Sequence, residues 1–217
     1  MPIYYTDPDA DVPPGVDFLD AEQAHGWVAA CDVEKPWRLP MRIRFAELVA
    51  TLPPGSRVLE LGSGPGLLAE CILDRCTNLA SYTLLDFSEH MLRLSRDRLK
   101  RFPEAQFVNA NFKASHWTDA LSPPYTAVIA MQAVHEIRHK RHVPGLYEQL
   151  RQILSPGGIV AVCDGTPGDS PVLWRQSLCL TLEEQIDALA AAGFADAVLD
   201  TAIGSMVLIA GRVSADR

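Results

Sequence analysis

The chain has 217 residues, of which 48% are hydrophobic and 21% charged, the balance of an ordinary folded domain and not of a disordered or fibrous protein. Its 27 acidic and 19 basic side chains give a formal net charge of −8, which disfavours a nucleic-acid partner because an acidic surface repels phosphate backbones. No apolar run reaches the roughly 20 residues of a membrane-spanning helix, and no secretory signal is visible at the start. We therefore expect a cytoplasmic protein that binds neither membrane nor nucleic acid.

The five cysteines are odd in number and show no CxxC spacing. This pattern favours reduced, mostly buried thiols over a metal site or a disulfide framework. We therefore predict no bound metal.

Residues 1–50 differ from the rest of the chain because six prolines interrupt them. Between the prolines, helical patterns run near Phe18–Cys31 and Met41–Thr51. We predict that residues 1–44 form a helical cap, which packs on a domain formed by residues 45–217. The aromatic side chains of the cap either anchor it or cover a ligand-binding pocket, and they are Tyr4, Tyr5, Trp27 and Trp37.

From about Arg57 onward, short apolar or β-branched runs alternate with helical patterns. This alternation is typical of a doubly wound, mostly parallel sheet with helices on both faces, a three-layer α/β/α arrangement. The predicted strands are Arg57–Leu61, Tyr82–Asp86, Ala105–Ala110, Ala127–Met131, Ile159–Cys163, Ala197–Leu199 and Met206–Gly211. The predicted helices begin near Leu67, after the N-cap residue Ser88, near Leu146 and at the capping box of Thr181 and Glu184.

A glycine-rich loop follows the first of these strands. Glycines there allow positive-φ turns and let a ligand approach the backbone closely. The context strengthens the signal, because Asp86 ends the next strand at about the spacing at which a carboxylate meets a ribose. We therefore predict a nucleoside-binding site at this loop.

Two classes of nucleoside compete for the loop. The dinucleotide fingerprint is G-x-G-x-x-G, but Leu67 stands where its third glycine belongs. Glu60 also adds a carboxylate beside the loop, which would repel a diphosphate and suit a cationic ligand. The residues favour a positively charged nucleoside over NAD.

The stretch Val58–Gly66 (VLELGSGPG) resembles the glycine-rich motif of class I S-adenosylmethionine (SAM)-dependent methyltransferases. Leu85–Ser88 (LDFS) and Leu154–Gly158 (LSPGG) resemble two further motifs of that family, and the resemblance covers roughly residues 45–211. It implies a Rossmann-like, seven-stranded sheet with an antiparallel last strand, and SAM across the carboxyl ends of the first strands.

The resemblance also implies roles for individual residues. Glu60 would act on the amino acid side of SAM, Asp86 would accept both ribose hydroxyls, and Asn111 stands where the family usually has an adenine-binding aspartate. Met131 either belongs to the wall beside the methyl group or packs in the core. The complete set of predicted cofactor-binding residues is Glu60, Gly62, Ser63, Gly64, Gly66, Asp86, Phe87, Met91, Asn111, Phe112, Met131 and Gln132.

The segment His135–His139 (HEIRH) matches the zinc-binding pattern H-E-x-x-H. A zinc metallopeptidase would carry this pattern within a long amphipathic helix, whereas here it follows a strand and runs into the basic residues Arg138–His142. We expect that basic run to form a solvated loop or a helix start, and we interpret the match as accidental.

His135 and Glu136 follow the fourth strand, where an open α/β sheet presents its ligands. A histidine there could take a proton from the methyl acceptor, because its usual pKa lies near neutrality; alternatively it merely orders the loop. We predict these two as the catalytic residues.

The sequence thus predicts a methyltransferase that transfers the methyl group of SAM to a small-molecule acceptor, as a monomer or a homodimer. Two alternatives stay open at this point: a SAM-binding or partner-binding protein without activity, and the metallopeptidase.

Overall fold

The computed structural model describes residues 5–215, so Tyr4 lies outside the described residues. Seven helices, numbered α1 to α7, cover Ala21–Ala30, Arg38–Ala50, Leu67–Leu73, Glu89–Leu99, Val143–Ile153, Leu173–Leu178 and Leu182–Ala191. Seven strands, β1 to β7, cover Arg57–Leu61, Ser81–Asp86, Ala105–Asn109, Tyr125–Met131, Leu154–Gly165, Phe194–Ile203 and Met206–Val213. None of the helices in this described part is long and apolar enough to cross a membrane.

The seven strands form one sheet in the order β3-β2-β1-β4-β5-β7-β6. From β3 to β5 in this order, each strand is parallel to the next. In contrast, β7 runs antiparallel to both of its neighbours, β5 and β6. The predicted seven-stranded sheet with an antiparallel last strand is therefore confirmed.

Helices cover both faces of the sheet and divide its core into two clusters of apolar side chains. Leu150 of α5 and Leu189 of α7 belong to the cluster on one face. Phe45 of α2 and Ile72 of α3 belong to the cluster on the other face. The central strands are buried on both sides, which explains their continuous apolar runs and confirms the predicted three layers.

Several elements differ from the sequence prediction. Strand β6 extends well beyond the predicted Ala197–Leu199, because pairing with β7 and not apolar patterning sets its length. Helix α6 and three short 3₁₀ helices were not predicted, since such short elements carry little periodic signal. Helix α2 spans the proposed division between residues 44 and 45, and that division stays a prediction.

The basic run Arg138–His142 holds the N-terminal segment. The Arg138 guanidinium donates to the backbone carbonyls of Val12 and Pro13 at 2.8 and 2.6 Å, and the amide of Val12 donates back to the carbonyl of Arg138 at 2.8 Å. His139 lies 2.8 Å from the Pro8 carbonyl. Because Arg138 and His139 are buried, the prediction of a solvated loop is wrong for these two residues. The run does lead into α5, as a helix start.

Candidate active site

A cleft lies at the carboxyl ends of β1, β2 and β4. The strand order reverses between β1 and β4, so this is the topological switch point of the sheet. The larger part of the cleft has a volume of about 640 Å³, and a second part of about 420 Å³ adjoins it. Gly62, Gly64, Gln132, Trp27 and Arg38 line both parts, so the two form one continuous site.

The glycine loop forms the floor of this cleft because its backbone has conformations that other residues rarely adopt. Gly62 and Gly64 have φ values of 58° and 54°. A Cβ atom added to Gly62 would lie 2.6 Å from the Cβ of Ala133, closer than real Cβ contacts, so the loop can approach the β4 end only with glycine there.

Gly66 has a different function from the other two glycines. It also has a positive φ, 78°, but it does not line either part of the cleft. A Cβ atom on Gly66 would lie 3.1 Å from the Ser95 hydroxyl and 3.3 Å from a methyl group of Leu99. In this structure Gly66 therefore permits close packing of α3 against α4, and its predicted role beside a cofactor stays a prediction.

Asp86 lies at the end of β2 and connects the loop to the next helix. One carboxylate oxygen accepts from the amide of Gly64 and the other from the amide of Ser88, each at 2.8 Å. Burial raises the pKa of Asp86 to about 6 in spite of these hydrogen bonds. Each oxygen keeps a second acceptor position, so the carboxylate, which lines the cleft, can accept from two adjacent hydroxyl groups.

Glu60 lines the smaller part of the cleft. It is buried, and its carboxyl group accepts a hydrogen bond of 2.6 Å from the Tyr82 hydroxyl. Burial raises the pKa of Glu60 to about 8, so its neutral form predominates at pH 7 until a cation lies beside it. The sequence argument that a charged Glu60 repels a diphosphate therefore loses force, whereas a bound ammonium group would restore the charge.

The other predicted cofactor-binding residues are divided between the two parts of the cleft. Phe87, Met91 and Phe112 line the larger part, beside Asp86. Ser63 and Met131 line the smaller part, and the buried Ser63 hydroxyl finds no partner within the described residues.

Asn111 is not brought to the cleft. It is exposed, and its side-chain oxygen accepts from the amide of Lys113 at 3.0 Å, which closes a local turn. Neither part of the cleft includes it. Its proposed contact with adenine stays a prediction.

Sequence reasoning missed two cations that the cap contributes. Arg38 is buried, lies over the rings of Trp27 and Trp37 at 4.8 and 5.8 Å, and has no carboxylate within ion-pair distance in the described part of the chain. Its Nε has no hydrogen-bond partner there either. Lys35 lines the larger part of the cleft. Neither residue follows a strand, so no motif marked them.

His135 lies between two carboxylates. Its Nδ1 is 2.9 Å from Asp164, and its Nε2 is 3.3 Å from Glu136. Burial alone would lower the pKa of His135, but the two carboxylates outweigh burial and raise it to about 10. The ring therefore holds a proton on both nitrogens at neutral pH, and an imidazolium cannot accept another.

Asp164, at the end of β5, was also missed by sequence reasoning. It accepts from the Gln132 side chain and from the amide of Gly165, each at 2.9 Å, in addition to His135. Gln132 has a φ of 57°, which is uncommon for a residue other than glycine. Asp164 thus fixes the β4 end of the cleft. Its position at the end of a parallel strand is the sequence signal that could have identified it as a site residue.

The H-E-x-x-H segment does not form one helix. A 3₁₀ helix covers Val134–Ile137 and another covers Lys140–His142, and Arg138 between them has a φ of 75°. His135 binds Asp164, whereas His139 lies against Pro8. The two histidines therefore do not share a helix face as the zinc pattern requires.

The fold and the cleft agree with the comparisons to known proteins. Residues 59–160 match the family model described as a methyltransferase domain. A ubiquinone/menaquinone biosynthesis C-methyltransferase from Hydrogenovibrio crunogenus is 26% identical over 60% of this chain and 50% of its own length. A demethylmenaquinone methyltransferase from Clavibacter sepedonicus is 30% identical over 61% and 51%, respectively. The chain spans about half the length of these curated relatives.

Among solved structures, human N-acetylserotonin methyltransferase in complex with SAM is similar in fold, with a TM-score of 0.69 and 16% identity over 91% of this chain and 57% of that chain. Residues 59–160 thus match a methyltransferase domain, and the sheet has the fold of the solved methyltransferase to which it is similar. The predicted resemblance is confirmed to that extent.

Proposed function

We propose that this protein transfers the methyl group of SAM to a small-molecule acceptor. The observation that carries the proposal is the cleft itself, in which Asp86, the glycine loop and the buried Arg38 surround one continuous space. When bound, SAM supplies a methyl group already activated by the sulfonium, so positioning can provide much of the rate.

The residues present fit that cofactor. Phe87, Met91 and Phe112 offer apolar contacts to an adenine, next to a carboxylate that can accept from both ribose hydroxyls. Glu60 lines the smaller part of the cleft, and an ammonium group bound beside it would lower the free-energy cost of ionising its buried carboxyl group.

Arg38 strengthens the fit to an amino acid ligand. A buried guanidinium without an anionic partner is costly, and a carboxylate is the group that it binds best, through two parallel hydrogen bonds. We assign the methionine carboxylate to Arg38, opposite the glycine loop.

His135 and Glu136 remain the proposed catalytic residues, with roles adjusted to their surroundings. His135 acts as a fixed imidazolium that donates hydrogen bonds. Glu136 stays ionised, because His135 and Arg138 outweigh its burial and lower its pKa to about 2. Both therefore orient an acceptor more readily than they remove its proton.

A thermal-stabilisation screen tests the proposal, because a ligand that binds only the native state raises the melting temperature. S-adenosylhomocysteine (SAH) and SAM should stabilise the protein, and NAD and zinc should not. Transfer of a labelled methyl group to an acceptor then tests activity. Stabilisation without transfer across a broad set of acceptors would favour the inactive SAM-binding alternative, and stabilisation by NAD alone would contradict the proposal.

A further inference from the structure

Lys35 is a second cation of the cap that faces the cleft. It lies between α1 and α2, is half-buried, and lines the larger part of the cleft together with His135 and Glu136. No carboxylate of the described residues lies within ion-pair distance of its ammonium group. Burial lowers the pKa of Lys35, and so does the nearby guanidinium of Arg38. The cleft therefore presents an ammonium group that has no ion-pair partner among the described residues.

Lys35 and Arg38 differ in the part of the cleft that they reach. Arg38 lines both parts, including the smaller one beside Glu60 and Ser63, whereas Lys35 lines only the larger part. The charge of Asp164, at the β5 end, is close enough to act on Lys35. If the methionine carboxylate occupies Arg38, the ammonium group of Lys35 still lines the larger part, together with His135 and Glu136.

Among the described residues that line this space, the imidazole and carboxylate groups already have other partners. Both ring nitrogens of His135 lie against carboxylates, Asp164 on one side and Glu136 on the other. Glu136 accepts in addition from Arg138 at 3.0 Å. Asp86, the other carboxylate of the larger part, holds two backbone amides. An acceptor that arrives with its nucleophilic electron pair already exposed therefore suits this space best.

Carboxylic acids meet that condition without help, because their usual pKa near 4 leaves them ionised at pH 7, whereas phenols with a pKa near 10 need a base. The cleft also has apolar walls, since Phe18 and Trp27 lie edge to face at 5.4 Å beside it. A flat apolar body that carries a carboxylate would satisfy both features.

We propose that the methyl acceptor is a small aromatic or unsaturated carboxylate whose charge is paired with the ammonium group of Lys35, and that the carboxylate oxygen receives the methyl group. The carboxylate oxygen supplies the electron pair of the new O–C bond, while the S–C bond breaks and its pair stays on sulfur. The anion and the sulfonium cancel in charge, so the products are a neutral methyl ester and SAH, and no proton has to move.

This inference rests on the proposed function, and its experiment separates the two. Calorimetry measures binding of benzoate and trans-cinnamate, and of the matched amides benzamide and cinnamamide, to the protein with and without SAH. The variants are Lys35→Met, Lys35→Arg and, as a control on an exposed lysine at the end of α4, Lys100→Met.

We expect at least one carboxylate to bind ten times more tightly than its amide. Lys35→Met should bind that carboxylate about tenfold more weakly, as expected for loss of one charge-assisted contact. In Lys35→Arg and Lys100→Met the carboxylate affinity should stay within twofold of the wild type, and the affinity for SAH should stay within twofold in all three variants. Equal binding of amides, unchanged carboxylate affinity in Lys35→Met, or no binding by either carboxylate overturns the inference. Failure of the wild type to bind SAH overturns the proposed function instead.

The product gives a second readout that does not depend on the variants folding. With tritium in the methyl group, a methyl ester releases volatile methanol on mild alkaline hydrolysis. Label that becomes volatile in base supports the inference, and label that stays on the product in base overturns it.

Discussion

The glycine loop and the N-terminal cap face each other across one cleft, but they are built in different ways. The loop and Asp86 are held by contacts between neighbouring strands of the sheet, such as the hydrogen bond from the amide of Gly64 to the carboxylate of Asp86. The cap is held by contacts of very long sequence separation, such as those of Arg138 with Val12 and Pro13. The difference teaches that the side of the site formed by the glycine loop and Asp86 follows from local rules, whereas the side formed by the cap depends on which distant segments meet.

The largest effect is expected where a buried charge holds the cap. Arg138→Met should remove hydrogen bonds to two backbone carbonyls and to Glu136, and destabilise the fold by about 3 to 5 kcal/mol, because it leaves buried acceptors and a carboxylate with fewer partners. Denaturant unfolding measures this loss.

Arg141→Met is the matched control for that experiment. Arg141 also binds the N-terminal segment, through Asp9 and Asp11, but its side chain is exposed. An exposed ion pair contributes less than about 1 kcal/mol. Equal losses in the two variants would contradict the claim that burial of Arg138 anchors the cap.

On the loop side, Asp86→Ala should weaken SAH binding by about 10- to 150-fold, the value of charge-assisted hydrogen bonds worth 1.5 to 3 kcal/mol. The same change frees the amides of Gly64 and Ser88, so the melting temperature should fall as well. Asp187→Ala, on the exposed side of α7, serves as the control. Unchanged calorimetric affinity in Asp86→Ala would disprove the ribose assignment.

These two regions also show how much the sequence alone could predict. The strands and Asp86 follow from apolar runs, turn residues and spacing, all of which are local patterns, whereas the antiparallel β7 was implied by the family resemblance. Asp164 could be suspected only from its position at a strand end. Arg38 and Lys35 could not be predicted, because a basic residue in a proline-rich segment has the same appearance whether it is solvated or stacked on tryptophans.

Arg38 provides a test that crosses from one region to the other. Arg38→Met should weaken SAH binding about tenfold, because it removes a charged partner for the methionine carboxylate. Binding of 5′-methylthioadenosine, which lacks that carboxylate, should change less than twofold. A parallel loss for both ligands would show that Arg38 supports the cap and does not bind the amino acid group.

The smallest effect is expected at Asn111. Since this side chain is exposed and closes a turn with Lys113, Asn111→Ala should leave the affinity for SAH within twofold. A tenfold loss would show that the loop after β3 closes on the adenine in the complex, as the family resemblance implies.

The central claim is that SAM binds across the loop and under the cap, and a crystal structure of the protein with SAH tests it most directly. The account predicts an adenine beside Phe87, Met91 and Phe112, both ribose hydroxyls on Asp86, and the methionine carboxylate on Arg38. A nucleoside bound elsewhere, or one in the cleft without contact to Asp86, would contradict it.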